Sequence, residues 1–114
     1  MKGRTLSFSL CIFLLLAAGC ATLRIQKQIK ALGHGYRSVR RNAASALVKI
    51  GAPAVEPLSK ALGDKRRYVR ENAAWALGEI DDASAVPALT QALKDENRLV
   101  RRAAEKAIAK IKAK

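Results

Sequence analysis

The sequence predicts an all-α fold, a short right-handed α-solenoid of stacked helical hairpins, and three observations carry that prediction. First, the chain repeats itself. VRRNAASALVKIGAPAVEPLSKALGD, VRENAAWALGEIDDASAVPALTQALKD and VRRAAEKAIAKI share apolar and charged positions, and the leading residues Val39, Val69 and Val100 are 30 and 31 residues apart; one structural unit is copied. Second, the apolar positions have helical spacing. Val69, Ala73, Ala76, Leu77 and Ile80 form one face, and Val86, Leu89, Ala92 and Leu93 form another. Third, breakers separate the two patterns: Gly51-Ala52-Pro53 and Asp81-Asp82 inside rows, Gly63-Asp64 and Asp95-Glu96-Asn97 between them. A hairpin of two short helices cannot bury both faces alone, so successive hairpins must stack, with neighbouring helices about 8–10 Å apart.

Taken in order, residues 1–19 read as a leader. Lys2 and Arg4 precede an apolar run from Leu6 to Ala18 that is short for a membrane span, and the small residues Ala17, Ala18 and Gly19 lead to Cys20. An uncleaved N-terminal anchor is the alternative. Residues 20–24 read as a membrane tether that reaches at most about 18 Å when extended. Ile25, Ile29 and Leu32 occupy the places of Val55, Leu58 and Leu62, so the repeat domain, residues 25–114, opens on a second-type helix that has no first-type partner. It closes on a first-type helix, Val100 to Ile111, with no second-type partner following. Arrays of this kind usually carry polar outer helices at their ends. Ile25, Ile29, Ile108 and Ile111 are therefore expected to support weak end-to-end self-association or a docked partner.

The motifs VRENAAWALGEI, AVPAL and ALKD resemble the short HEAT-like repeat of phycobilisome-lyase-type proteins, and the resemblance covers Ile25 to Ile111. It implies an α-solenoid and, in function, a scaffold. It also implies a ladder joining hairpins, in which an Asp of the inter-repeat turn meets an Arg six residues later. Asp64 with Arg70 and Asp95 with Arg101 match; His34 with Arg40 departs. The leader resembles a bacterial lipoprotein signal in which Cys20 is lipidated and becomes the N-terminus, with Ala17 departing from the commoner leucine. Ala21 after the cysteine resembles proteobacterial lipoproteins of the outer membrane, so the expected location is the periplasmic face of the cell envelope. Cys11 would leave with the leader, and no free thiol or disulfide would remain.

The chain of 114 residues carries 22 Lys and Arg against nine Asp and Glu, a net +13. Removal of the leader, with its two cations, leaves +11 on 95 residues, which is room for one small domain. Chemistry is scarce. The single histidine, His34, sits between glycines and is expected to be solvated; no nucleophile–base set, metal-ligand cluster or phosphate-cradling loop is present. The His-Glu pairs of iron-binding HEAT-like hydroxylases are lacking too. The expectation is no enzyme, no metal and no cofactor.

Surface chemistry remains. Arg37 and Arg41, Arg66 and Arg67, then Arg98 and Arg102 place cations around the start of each first-type helix, where stacking would align them into a ridge. The macrodipole prefers anions there by about 0.3–1 kcal/mol per charge, so these arginines are candidates for binding phosphate or carboxylate. Arg66 stands where Asn97 can cap a helix. Trp75 lies roughly 140° from the centre of its helix's apolar face, with Ser45 and Lys106 in the equivalent places. It is thus a candidate partner anchor, or else lies flat over Gly78. These features predict a non-catalytic, lipid-anchored adaptor for another envelope protein. The alternative is an anion-binding module for phospholipid headgroups, lipopolysaccharide or, if the leader is misread, nucleic acid. A third reading, a lyase or chaperone subunit for a chromophore protein, follows from the resemblance alone.

Overall fold

The computed structural model describes residues 19–113; the leader up to Ala18, with Cys11, lies outside the described residues. Six α-helices follow one another: α1 (residues 19–31), α2 (Arg37–Ile50), α3 (Val55–Ala61), α4 (Arg67–Ile80), α5 (Val86–Ala92) and α6 (Arg98–Lys112). Short 3₁₀ turns, Ala52–Ala54 and Ala83–Ala85, introduce α3 and α5. Among the described residues there is no strand. The chain is an all-α solenoid.

The helices form two layers. The longer helices α2, α4 and α6 lie side by side, and each short helix packs on the long helix of the following row, α3 on α4 and α5 on α6. The same row positions fill the core each time. Ala43, Ala73 and Ala104 are buried, as are Leu47 and Leu77, and Leu58 and Leu89 close the short helices. Small residues at the crossings let the helices approach. At Gly78 the approach is to backbone, since a Cβ placed there would stand 2.8 Å from Ala107 Cα on α6.

Local chemistry sets the helix ends. α2 and α4 begin at Tyr36 and Arg66, neither of which supplies a side-chain cap, and no acidic residue stands in the first turn of α2, α4 or α6. Asn97 caps α6 by accepting from the Leu99 and Val100 amides at 2.9 and 3.4 Å. After α2 the chain turns through Gly51 at φ 76°, ψ −133°, a region open to glycine; after α4 Asp81 takes the left-handed conformation at φ 62°. Asp82 then accepts from the Ser84 amide and hydroxyl, opening the second 3₁₀ turn.

Two expectations need revision. Residues 20–24 are not extended but part of α1, and at about 1.5 Å per residue a helix covers slightly under half the distance of an extended chain. The ends of the solenoid are also better closed than expected: Ile25 is 5% and Ile111 8% exposed, with Ile29 and Ile108 half-buried. Their own helices fold the isoleucines inward. At the C-terminal end little large apolar surface is left to drive end-to-end association, whereas at the N-terminal end Leu23 on α1 stays 71% exposed.

Candidate functional site

Arg40, Arg70 and Arg101 directly follow the row-leading valines, and all three do the same thing. Each directs Nη1 at two consecutive carbonyls of the turn before it. Arg40 donates to His34 O and Gly35 O at 2.8 and 3.0 Å, Arg70 to Asp64 O and Lys65 O at 2.8 and 3.0 Å, and Arg101 to Asp95 O and Glu96 O at 2.7 and 3.1 Å. The arginine therefore takes the carbonyl of the residue six before it, not that residue's carboxylate. The carboxylate serves two other bonds. Within its turn Asp95 Oδ1 accepts from the Asn97 amide at 2.9 Å, as Asp64 Oδ1 does from Arg66. Across the turns Asp95 receives Arg70 Nε at 2.9 Å and Nη2 at 3.3 Å, a forked pair of which both partners are nearly buried. The ladder thus runs from one repeat to the next, Arg70 to Asp95, instead of closing within a repeat.

The first turn explains His34. Its Nδ1 accepts from the Tyr36 amide at 3.1 Å, the same i to i+2 bond that Asp64 and Asp95 make, so the imidazole substitutes for a turn carboxylate and is more than solvated. The equivalent rung from Arg40 to Asp64 is not formed. Asp64 instead holds Arg66 through Nε at 3.1 Å and Nη2 at 3.3 Å, and Arg40 lies over the Tyr68 ring, 4.1 Å from its centroid. The hydrogen bond from Arg66 keeps the Asp64 carboxyl below the usual carboxylate range against the opposing effect of burial, and the same contact raises the Arg66 guanidinium.

These bonds engage the two arginines of the expected ridge's middle row, both of which stay exposed. Arg66 is drawn aside to Asp64 and reaches the Lys30 carbonyl at 3.4 Å; Arg67 bonds the Tyr68 hydroxyl and stacks on that ring at 4.8 Å. Arg37, Arg41, Arg98 and Arg102 are exposed and make no ion pair among the described residues. Arg98 and Arg102 border a shallow hollow with Arg101 and Glu105.

The outer surface of α2, α4 and α6 carries two adjoining grooves. The first, about 410 Å³, runs along α2 and α4 as far as the start of α6 and is lined by Arg37, Arg40, Arg41, Tyr68, Trp75 and Leu99. The second, about 520 Å³, lies between α4 and α6 and is lined by Trp75, Leu99, Arg102, Lys106 and Lys110. Trp75 forms the wall shared by both and is 41% exposed, with Leu99 at 49% beside it. Trp75 and Gly78 line the same second groove, and a Cβ placed on Gly78 would meet Ala107. Glu71 also borders both grooves, and Glu79 is paired with Lys110.

Leu99, Tyr68 and Glu71 were not singled out from the sequence. A signal existed: Ser38, Tyr68 and Leu99 stand immediately before the row-leading valines, and one helical turn later come Arg41, Glu71 and Arg102. Cys20 is a free, exposed thiol on α1. Among the described residues no cluster of His, Cys, Asp and Glu could hold a metal ion, and no helix is long and apolar enough to cross a membrane. A family model described as HEAT repeats matches residues 25–112. No curated protein matches the chain.

Proposed function

This chain belongs to the HEAT repeat family, and from that premise we propose that it is an exported, non-catalytic scaffold, lipid-anchored through Cys20, that presents the α2/α4/α6 surface to another protein of the bacterial cell envelope. HEAT repeats generally mediate protein–protein interaction and are typically non-catalytic. The observation that supports the reading most directly is Trp75 standing exposed between two grooves with Leu99 alongside. Large apolar side chains cost free energy in water, and tryptophan is among the residues that most often dominate a protein interface. The anchor reading rests on the basic and apolar leader, the small residues before Cys20 and the exposure of that thiol. With α1 helical from residue 19, a lipid on Cys20 would hold Ile25 roughly 8 Å away along the helix.

The test is capture from membranes. Protein carrying Cys20→Ser should appear in the soluble fraction, and intact mature protein beginning at Met1 would remove the anchor from the proposal. Trp75→Ala should lose the captured envelope protein, with a cost of about 2 kcal/mol or more if Trp75 is the central anchor. Undiminished capture would place the docking surface elsewhere. The second reading, an anion-binding module, is favoured by Arg37, Arg41, Arg98 and Arg102, which have no carboxylate partner among the described residues. It requires binding to anionic vesicles or polyanions that raised salt abolishes. A lyase or chaperone subunit of the phycobilisome-lyase type has only the repeat motifs behind it.

A further inference from the structure

We propose that the two grooves act as one site, and that its ligand is an acidic segment of a partner protein, seated by a bulky apolar side chain over Trp75 and Leu99. This rests on the scaffold reading and names the partner's chemistry. Sequence alone set the arginines and the tryptophan against each other as rival surfaces; the fold places them together. Arg37 and Arg41 flank Trp75 on the α2 side, and Arg102 and Lys106 flank it on the α6 side. The four cations are exposed and make no ion pair among the described residues. An apolar centre rimmed by unpaired cations is complementary to an apolar anchor with carboxylates on either side of it.

The middle of the site separates this ligand from the other polyanions. Glu71 borders both grooves next to Trp75, so a phosphate chain laid along them would bring a continuous line of negative charge past a carboxylate. A peptide can place an apolar residue there and keep its acidic residues for the rims. A lipid surface is nearly flat on this scale, whereas Trp75 and Leu99 stand at the walls of grooves that admit individual side chains. Aromatic and arginine side chains together are also the residues most often found to dominate protein–protein interfaces.

The experiment uses the purified full chain and three probes: a synthetic amphipathic peptide of glutamates with leucines at helical spacing, an oligothymidylate, and phosphatidylglycerol vesicles. Trp75 is the only tryptophan, so its emission reports on the site directly. The acidic peptide should shift that emission to the blue, and raised salt should weaken its binding. The same peptide with lysine for glutamate, or with serine for leucine, should bind at least about tenfold more weakly. In anisotropy with labelled peptide, Arg41→Gln combined with Arg102→Gln, and separately Trp75→Phe and Trp75→Ala, should each weaken binding, with Phe the milder of the two. Unchanged circular dichroism shows that the variants fold. Tighter binding of the oligothymidylate or the vesicles than of the acidic peptide overturns the proposal, as does indifference to the peptide's charge. If the captured envelope protein is lost on Trp75→Ala but kept by the arginine double variant, the scaffold function stands and the acidic ligand is wrong.

Discussion

At the scale of single residues, Arg70 is the side chain with the most at stake. It is 8% exposed and carries a full charge, which the interior tolerates because every edge of the guanidinium has a partner: two carbonyls of its own turn and the Asp95 carboxylate of the next. Removing one member of a buried pair leaves the other charge uncompensated, so Asp95→Ala should cost about 3 kcal/mol and also release the Asn97 amide. Replacing both Arg70 and Asp95 with apolar residues should recover most of that loss, and equal denaturant midpoints for Asp95→Ala and the native chain would deny the bond any stabilising role. Asp64 gives a pH signature. Its folded-state pKa lies below the unfolded value of about 3.9 because Arg66 donates to it; that contribution is therefore complete above about pH 4 and is lost as pH falls through the folded value. Stability measured between about pH 5 and 2 should fall less steeply in Arg66→Gln than in the native chain. An unchanged acid limb would show that the pair does not couple to folding. The meeting of each arginine with the residue six before it was legible through the resemblance, but not which guanidinium each carboxylate holds, because Asp64 has Arg40, Arg66 and Arg70 to choose from, and the choice depends on distances between repeats that spacing along the chain does not reveal.

At the scale of elements, the helices were legible almost throughout, since copied apolar positions fix which face each helix turns inward. Asn97, Gly51 and the Asp81-Asp82 pair also marked helix ends by chemistry that is local to the chain. The contact between α4 and α6 was not legible, because glycine in a helix gives no sign of what lies opposite it. Here Gly78 lies against Ala107, and two opposed effects can be weighed. Alanine is the better helix former by about 1 kcal/mol, but its Cβ would press on backbone 2.8 Å away, and overpacking costs about 1–3 kcal/mol. Gly78→Ala should therefore lower stability by roughly 1 kcal/mol, and a raised thermal midpoint would mean that α6 moves aside freely. The short helices posed a different problem for the sequence: α3 and α5 have only seven residues each, too few to be stable in isolation. They are held by the long helix of the following row.

For the whole molecule, row spacing announced a solenoid, and the repeat family confirms it over residues 25–112. What spacing could not announce is that the two junctions between long helices are built differently. α4 and α6 are joined by the buried Arg70–Asp95 fork and the Gly78–Ala107 approach. Between α2 and α4 the corresponding rung is replaced by Arg40 resting on Tyr68, while Arg66 turns aside to Asp64 and, at 3.4 Å, to the Lys30 carbonyl on α1. A cation–π contact between two half-buried side chains contributes about 0.5–2 kcal/mol and leaves the approach of the helices loosely specified, whereas the nearly buried fork fixes geometry through two charge-assisted bonds. The solenoid should therefore behave as a spring with unequal coils, stiffer toward its C-terminal side than toward its N-terminal side. Thermal bending should concentrate between α2 and α4, widening and narrowing the Arg37/Arg41 groove while the Lys106/Lys110 groove keeps its width. Spin labels at Asn42 and Glu79 should report a broader distance distribution than labels at Glu79 and Glu105, and equal breadths would mean that the missing rung has no mechanical effect. A surface hinged in this way can clamp: one wall holds a fixed gauge against an incoming chain, and the other swings to suit side chains of different size.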